Sequence, residues 1–148
     1  MRFFLLPVLF FPLLMLSQNI EDIKKTDTIY VYFKRDKNQF SNSNNKINPN
    51  DLNYYYVFGY NGSYQLAMTF LHHYQLAGEE IKVKKSFLKN KKDVIITHEF
   101  LTKYNLAEAT ELIGNKKKVY LIDEADIGWF NLKLKEVKVI GTVPQSIE

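Results

Sequence analysis

The residues around Asn61-Gly62 constrain the fold more than any other part of the sequence. Two aromatic and apolar runs, NYYYVFGY at 53–60 and SYQLAMTFL at 63–71, flank this dipeptide. Asn-Gly suits the two positive-φ positions of a type I′ turn, which joins two antiparallel strands. The pattern therefore predicts a β-hairpin, and with it an antiparallel sheet.

The second run also has a competing interpretation as a helix. Ser63 is a suitable N-cap and Gly78 a suitable C-terminal stop, which would make residues 63–77 helical. Periodicity alone does not separate a buried strand from a helix in such apolar runs. The Asn-Gly turn decides in favour of the hairpin.

A hairpin closed by this turn would sort its side chains into two faces. Its register pairs Tyr60 with Ser63 and Gly59 with Tyr64, and the same phase continues along both strands. One face then carries Tyr55, Val57, Tyr64, Leu66, Met68 and Phe70. The other face carries Tyr54, Tyr56, Phe58 and Tyr60, opposite Ser63, Gln65, Ala67 and Thr69.

The aromatic stripe Tyr54, Tyr56, Phe58 and Tyr60 is the first candidate binding surface. Tyrosine offers a large contact area with a polar tip, which suits stacking on a sugar ring or anchoring a protein partner. The alternative is that a helix at 105–113 covers this face and makes it core. We favour the core interpretation, because open apolar patches are uncommon on soluble monomers.

Further strands are predicted on both sides of the hairpin. Asp27 to Lys34 alternates β-branched and aromatic residues in the manner of a strand. Other strand segments are residues 80–85, 94–96, 119–122 and 131–140. The apolar residues of the last segment change parity, which predicts a β-bulge near Lys135 and Glu136.

One helical segment and one long loop complete the prediction. Residues 97–113 are expected to be helical, with Asn105 and Glu108 at the spacing of a capping box and Gly114 as the stop. Residues 35–53 are rich in Asn and Ser and predict a mobile loop. The fold class is α+β: an antiparallel sheet of five or six strands, with the short helical segment packed on one face.

The N-terminal sequence MRFFLLPVLFFPLLML resembles a bacterial secretory signal peptide. Arg2 precedes an apolar run at 3–16, and Ser17 opens a hydrophilic stretch. The run is shorter than the roughly 20 residues that a membrane-spanning helix needs, and two prolines weaken it further. We expect cleavage after residue 17 and export of residues 18–148 as a single domain without a stable transmembrane span. An uncleaved membrane anchor is the alternative.

Composition excludes several classes of protein. The chain has no cysteine, and therefore no disulfide, no thiolate metal site and no lipidated cysteine. Its 20 basic and 16 acidic residues give a net charge of +4, and removal of Arg2 would leave Arg35 as the only arginine. Because phosphate and base recognition draws heavily on arginine, we expect no nucleic-acid partner.

Residues 119–126, VYLIDEAD, match the apolar strand and Asp-Glu-Ala-Asp motif of helicase motor domains. Those enzymes also need a GxxxxGK[ST] phosphate-binding loop, which this sequence lacks. We therefore interpret the segment as a strand that ends in an acidic turn. A weak divalent-cation site formed by Asp123, Glu124 and Asp126 is the alternative, although the spacing of a calcium loop is not met.

The three histidines offer little support for catalysis. His72 and His73 are adjacent and would point to opposite faces of a strand, whereas His98-Glu99 lacks the second histidine of H-E-x-x-H. The nucleophile motif G-x-S-x-G is absent as well. We assign no catalytic residue, no cofactor and no metal ligand.

Lysines between residues 82 and 92 form the second candidate binding surface, with Lys82 and Lys84 on the strand at 80–85. Such a run attracts anionic lipid headgroups or acidic glycans. The alternative, which we favour, is an edge strand that its lysines protect from aggregation.

Together these patterns predict a small exported, non-enzymatic binding or envelope-associated protein whose ligand is unknown. An envelope protein or a glycan would be its partner, in the periplasm or outside the cell. The alternative is a secreted hydrolase or inhibitor, which would require a pocket into which a histidine or a carboxylate pair converges.

Overall fold

The computed structural model describes residues 20–38, 41–44, 53–60, 62–73 and 80–140. The predicted signal peptide at 1–17 lies outside these residues, as do parts of the predicted loop at 35–53. Among the residues that the structure describes, no helix is both long and apolar enough to cross a membrane.

Strands dominate the described part of the chain. In chain order they are β1 Thr28–Phe33, β2 Ser41–Asn44, β3 Asn53–Tyr60, β4 Ser63–His73, β5 Ile81–Lys84, β6 Ile95–Ile96, β7 Lys118–Asp123, β8 Asn131–Glu136 and β9 Lys138–Ile140. The helices are α1 Ile20–Lys25, α2 Phe87–Asn90, α3 His98–Leu101 and α4 Leu106–Gly114.

The strands form two sheets, with the orders β5-β8-β7-β1-β6 and β2-β3-β4-β9. The α+β class is confirmed, but the prediction of a single antiparallel sheet is wrong. In the first sheet β1 runs parallel to both β6 and β7, whereas β8 runs antiparallel to β7 and β5. The central strands are covered on both faces, which is the usual setting for parallel pairing.

The two faces of β1 show this double burial. Ile29, Val31 and Phe33 are almost fully buried in a core that the two sheets share. Tyr30 and Tyr32 point the other way and pack against a second cluster, which is built from β6, β7 and β8 and is flanked by α2. The strand predicted at 27–34 is therefore confirmed.

The predicted hairpin is confirmed as β3 and β4. Gly62 has a φ of 68°, and Tyr60 pairs with Ser63 as the turn requires. Beyond this pair the register differs from the prediction, because Gly59 pairs with Ala67. Since β4 holds three more residues than β3 between these two pairs, the side chains of β4 exchange faces.

The shift has a clear physical consequence. It sets Met68 opposite Phe58 and Phe70 opposite Tyr56, whereas the predicted register placed these pairs on different faces. All four side chains are at most 1% exposed. A register that collects the large apolar residues on one face allows that face to be buried completely.

The predicted strand at 131–140 is two strands. Its residues 131–136 form β8 in the first sheet, and residues 138–140 form β9 in the second sheet. Val137 lies between them, is 4% exposed and donates from its amide to the carbonyl of Val119 at 2.9 Å. The change of parity marks a crossing between sheets, so the predicted bulge near Lys135 and Glu136 is wrong.

The helical segment predicted at 97–113 is present as α3 and α4. Asn105 Oδ1 accepts from the amide of Glu108 at 2.9 Å, and Glu108 Oε2 accepts from the amide of Asn105 at 3.1 Å. This capping box begins α4, which ends with Gly114. Ala109 and Ile113 face the core that the two sheets share.

Three elements lie where none was predicted. Strand β2, at 41–44, lies inside the segment predicted to be a loop and pairs with β3. Helix α1 is held at its C-terminal end by Lys116, whose Nζ donates to the carbonyls of Ile23 and Thr26. Helix α2 covers the second cluster through Phe87, whose ring lies 4.8 Å from that of Tyr30.

Candidate functional site

The aromatic stripe, named as a candidate binding surface, belongs to the core, which is the interpretation that the sequence favours. Tyr56, Phe58 and Tyr60 are at most 4% exposed, and Tyr54 is half-buried. The Phe33 ring lies 5.0 Å from that of Tyr56 and 5.2 Å from that of Phe58, both edge-on. An open aromatic platform on this face is therefore wrong. The opposite sheet covers the face, and the predicted helical segment also packs on the same cluster through Leu101, Ala109 and Ile113.

A partly buried ionic cluster lies beside this stripe. Lys135, whose side chain is 13% exposed, pairs with Asp126 at 2.5 Å and donates from Nζ to the Tyr56 hydroxyl at 2.9 Å. Burial raises the pKa of Tyr56 well above its ordinary value, and Lys135 offsets this only in part. Burial lowers the pKa of Lys135, but hydrogen bonds to Asp126 and Tyr56 outweigh it, and the pKa is raised. The lysine is therefore a charged structural group near neutral pH and not a free amine nucleophile.

The acidic turn after β7 serves the fold. Asp123 accepts from the amide of Ala125 at 3.0 Å and begins a 3₁₀ turn over residues 124–126. Glu124 accepts from the Tyr32 hydroxyl at 3.3 Å, and Asp126 pairs with Lys135. In the part of the chain that the structure describes, no three His, Asp or Glu side chains are grouped so that they could hold a metal ion.

Two of the three histidines bind backbone carbonyls. His72 Nδ1 lies 2.8 Å from the carbonyl of Glu136, and His98 Nε2 lies 2.9 Å from that of Gly59. A carbonyl can only accept, so each of these nitrogens carries the proton. The His98 ring also stacks on Phe58, with 5.5 Å between the centroids. Both imidazoles are thereby used to join elements of the fold.

The lysine-rich strand β5 lies at one edge of the first sheet, paired with β8. Lys82 pairs with Lys133 and Lys84 with Asn131, which places these four side chains on one face. The opposite face carries the apolar residues Ile81, Val83, Leu132 and Leu134. Because the apolar face packs on the second cluster, the lysines remain exposed.

A tight turn at the end of this ribbon carries two adjacent aromatic residues. The amide of Gly128 donates to the carbonyl of Asn131 at 2.8 Å, so Trp129 and Phe130 occupy the two apex positions. Lys85 donates from its amide to the carbonyl of Phe130 at 2.8 Å and ties the turn to β5. Trp129 is 92% exposed and Phe130 is 81% exposed.

These residues define the aromatic-lysine tip: Trp129, Phe130, Lys82, Lys84, Lys85 and Lys133. A shallow groove of about 250 Å³ lies at its base, lined by Lys82, Lys133 and Trp129 among others. Lys133 is paired with Glu80 at 3.0 Å, and Asp126, which also lines the groove, is paired with Lys135. The tip thus combines exposed apolar area with a cationic base.

Edge protection explains the lysines of β5 but not the aromatic residues beside them. An edge strand is kept from aggregating by charge, whereas exposed Trp and Phe side chains favour association. Neither aromatic side chain contributes appreciable burial to either core cluster. Packing of the described residues therefore does not explain their exposure.

A larger cavity, of about 450 Å³, lies between α1 and α4. Its lining combines the apolar residues Ile20 and Leu112 with both acidic and basic side chains. The best placed of its cations, Lys116, donates to backbone carbonyls at the end of α1. The cavity is therefore a weaker candidate for a binding site than the tip.

Sequence patterns indicate Lys82 and Lys84 as site residues, but Trp129 and Phe130 are not among the predicted ones. A signal for them is present, because two adjacent aromatic residues follow a glycine just before an alternating strand. If both belonged to that strand, they would point to opposite faces, and at least one would lie outside a one-sided core. Comparisons with protein-family models, with curated proteins and with solved structures gave no match.

Proposed function

We propose that this chain is a small exported, non-enzymatic binding protein that associates with the cell envelope through the aromatic-lysine tip. The observation that carries the proposal is the exposure of Trp129 and Phe130, 92% and 81%, at the apex of a lysine-bearing ribbon. Trp and Phe at such an apex have little to gain from the folded chain itself. No described element covers them, and their burial by a partner would be favourable.

The charge distribution supports an anionic partner. Residues 80–93 contain six lysines and two acids, a net charge of +4, which equals the formal charge of the whole chain. The remainder has no net charge, and three of these six lysines, Lys82, Lys84 and Lys85, belong to the tip. Local charge of this kind attracts anionic surfaces over about one Debye length, roughly 8–10 Å at physiological salt.

Export rests on the signal-peptide pattern at 1–17, and the tip is consistent with the envelope that an exported protein meets. The hydrolase alternative needs a histidine or a carboxylate pair that is free to act on a substrate. His72 and His98 instead bind backbone carbonyls, and Asp126 is paired with Lys135. These contacts favour binding over hydrolysis.

Export can be tested by fractionating the native host and measuring the protein's N-terminus by mass spectrometry. We expect a chain that begins near Gln18, recovered with the envelope or outside the cell. Recovery of intact Met1 in the cytoplasm would refute export.

The role of the tip can be tested in the same fractions. Trp129→Ala combined with Phe130→Ala is expected to release the protein from the envelope fraction. Leu66→Ala is the matched control, because Leu66 is an exposed apolar residue of β4 outside the tip, at 47% exposure. Unchanged envelope retention of the double variant would exclude the tip as the binding surface.

A further inference from the structure

We infer that the partner of the aromatic-lysine tip is the anionic surface of a lipid bilayer, into which Trp129 and Phe130 insert at headgroup depth. This inference rests on the proposed function and names its partner. Three properties of the tip carry it: the chemistry of the apex, the position of the lysines, and the size of the exposed patch.

The apex has the chemistry of a membrane-interface anchor. Trp and Phe partition into the boundary between headgroups and acyl chains, where an apolar ring is buried and the indole N–H stays hydrated. The Gly128–Asn131 hydrogen bond places both rings at the end of the ribbon. Insertion of the rings therefore requires no unfolding of the sheets behind them.

The lysines lie at the level where headgroups would be. Lys84 pairs with Asn131, the residue that follows the apex, and Lys82 and Lys133 form the next same-face pair. Same-face residues of a strand are about 7 Å apart, so the ammonium groups follow directly behind the rings. With the rings buried roughly 5–10 Å, these charges meet lipid phosphates. The groove between Lys82, Lys133 and Trp129 is open to such a group.

The size of the patch favours a bilayer over a protein. A stable protein interface covers about 800 Å² on each partner. Two aromatic side chains supply roughly 300–500 Å². A fluid headgroup layer adapts its shape to a small protrusion, whereas a protein partner must present a preformed pocket to it.

Trp129 is the only tryptophan of the chain, so its fluorescence reports on the tip alone. The full chain is mixed with vesicles of equimolar phosphatidylglycerol and phosphatidylcholine, and separately with vesicles of phosphatidylcholine. We expect the emission to shift to shorter wavelength with the anionic vesicles, and the shift to weaken as salt is raised. Brominated acyl chains should quench the same emission.

Lysine variants give the expected magnitude. Each lysine near an anionic surface contributes about 1 kcal/mol, which is roughly a fivefold change in affinity. Lys82→Gln combined with Lys84→Gln should therefore weaken binding about 25-fold. The matched control, Lys103→Gln with Lys118→Gln, removes the same charge from exposed sites outside the tip and should change affinity less than about twofold.

The apolar segment at 3–16 is present in the full chain and contains no tryptophan. Vesicle binding with unshifted Trp129 emission would assign binding to that segment and overturn the inference. An unshifted emission with every vesicle, together with envelope release of the Trp129→Ala and Phe130→Ala variant in cells, would also overturn it. In that case the proposed function survives, with a protein or glycan as the partner.

Discussion

Replacement of Lys135 by methionine tests whether the partly buried ionic cluster is structural. The change keeps the aliphatic stem and removes the charge. It leaves the Asp126 carboxylate, 27% exposed, without its cation, and the Tyr56 hydroxyl without its donor. Breaking a buried pair from one side costs about 3–5 kcal/mol, and the partial exposure of Asp126 places the expected loss near 3 kcal/mol.

Urea unfolding followed by far-ultraviolet circular dichroism at neutral pH measures this loss. Trp129 fluorescence is a poor readout, because the side chain is already 92% exposed in the folded protein. Lys133→Met is the matched control: Lys133 lies two residues away on the same strand, with a side chain 49% exposed and paired with Glu80. The control should cost less than about 1 kcal/mol.

A double variant provides the decisive comparison. Lys135→Met combined with Asp126→Asn removes both charges, so its free energy of unfolding should lie within about 1 kcal/mol of the wild-type value. The losses of stability of Lys135→Met and of Asp126→Asn are also measured singly. If these two losses simply add in the double variant, or if Lys135→Met alone has no effect, the cluster does not act as a coupled ion pair and the reasoning is wrong.

Three further outcomes are expected. Trp129→Ala should cost only about 0.5 kcal/mol of stability, since roughly 20 Å² of that side chain is buried. Phe58→Ala should cost about 3–5 kcal/mol, because Phe58 is part of the core. Equal losses in urea unfolding would contradict the division into tip and core. Asn105→Ala should lower stability by about 1 kcal/mol through loss of the capping box, and no change would refute its role. Burial, aided by Glu124, raises the pKa of Tyr32 from 10.0 to about 12. Folded stability is therefore lost as pH rises from 10 to 12. Tyr32→Phe should reduce that loss by about 1 kcal/mol, because the partly exposed site is screened by solvent. Identical alkaline unfolding curves for both proteins would exclude this effect.

Local patterns predicted several elements correctly. The Asn-Gly turn, the alternation of β1 and the spacing of Asn105 and Glu108 each concern residues close together in the chain. Each is stabilised by interactions within one turn, one strand or one helix end, so it can be predicted without knowledge of distant segments.

Predictions were wrong where contacts with distant segments determine which of two locally possible structures forms. The hairpin register shifted by three residues because Phe33 and its neighbours on the opposite sheet bury the face that unites Phe58 with Met68. The sequence predicts one strand over residues 131–140, since a change of parity looks the same at a bulge and at a crossing between sheets. Only the pairing partners separate the two.

Propensity and turn chemistry act over a few residues, and they are enough to predict the α+β class, the hairpin, the helix cap and the lysines of β5. The burial of the aromatic residues needs the tertiary structure. For Tyr56 and Phe58 the sequence leaves a binding surface open beside the favoured core interpretation, and the structure buries both. For Trp129 and Phe130 the sequence indicates only that one of them lies outside a one-sided core, whereas the structure places both at the apex of a turn that no described element covers. Burial depends on which surfaces meet, and that is settled by long-range packing.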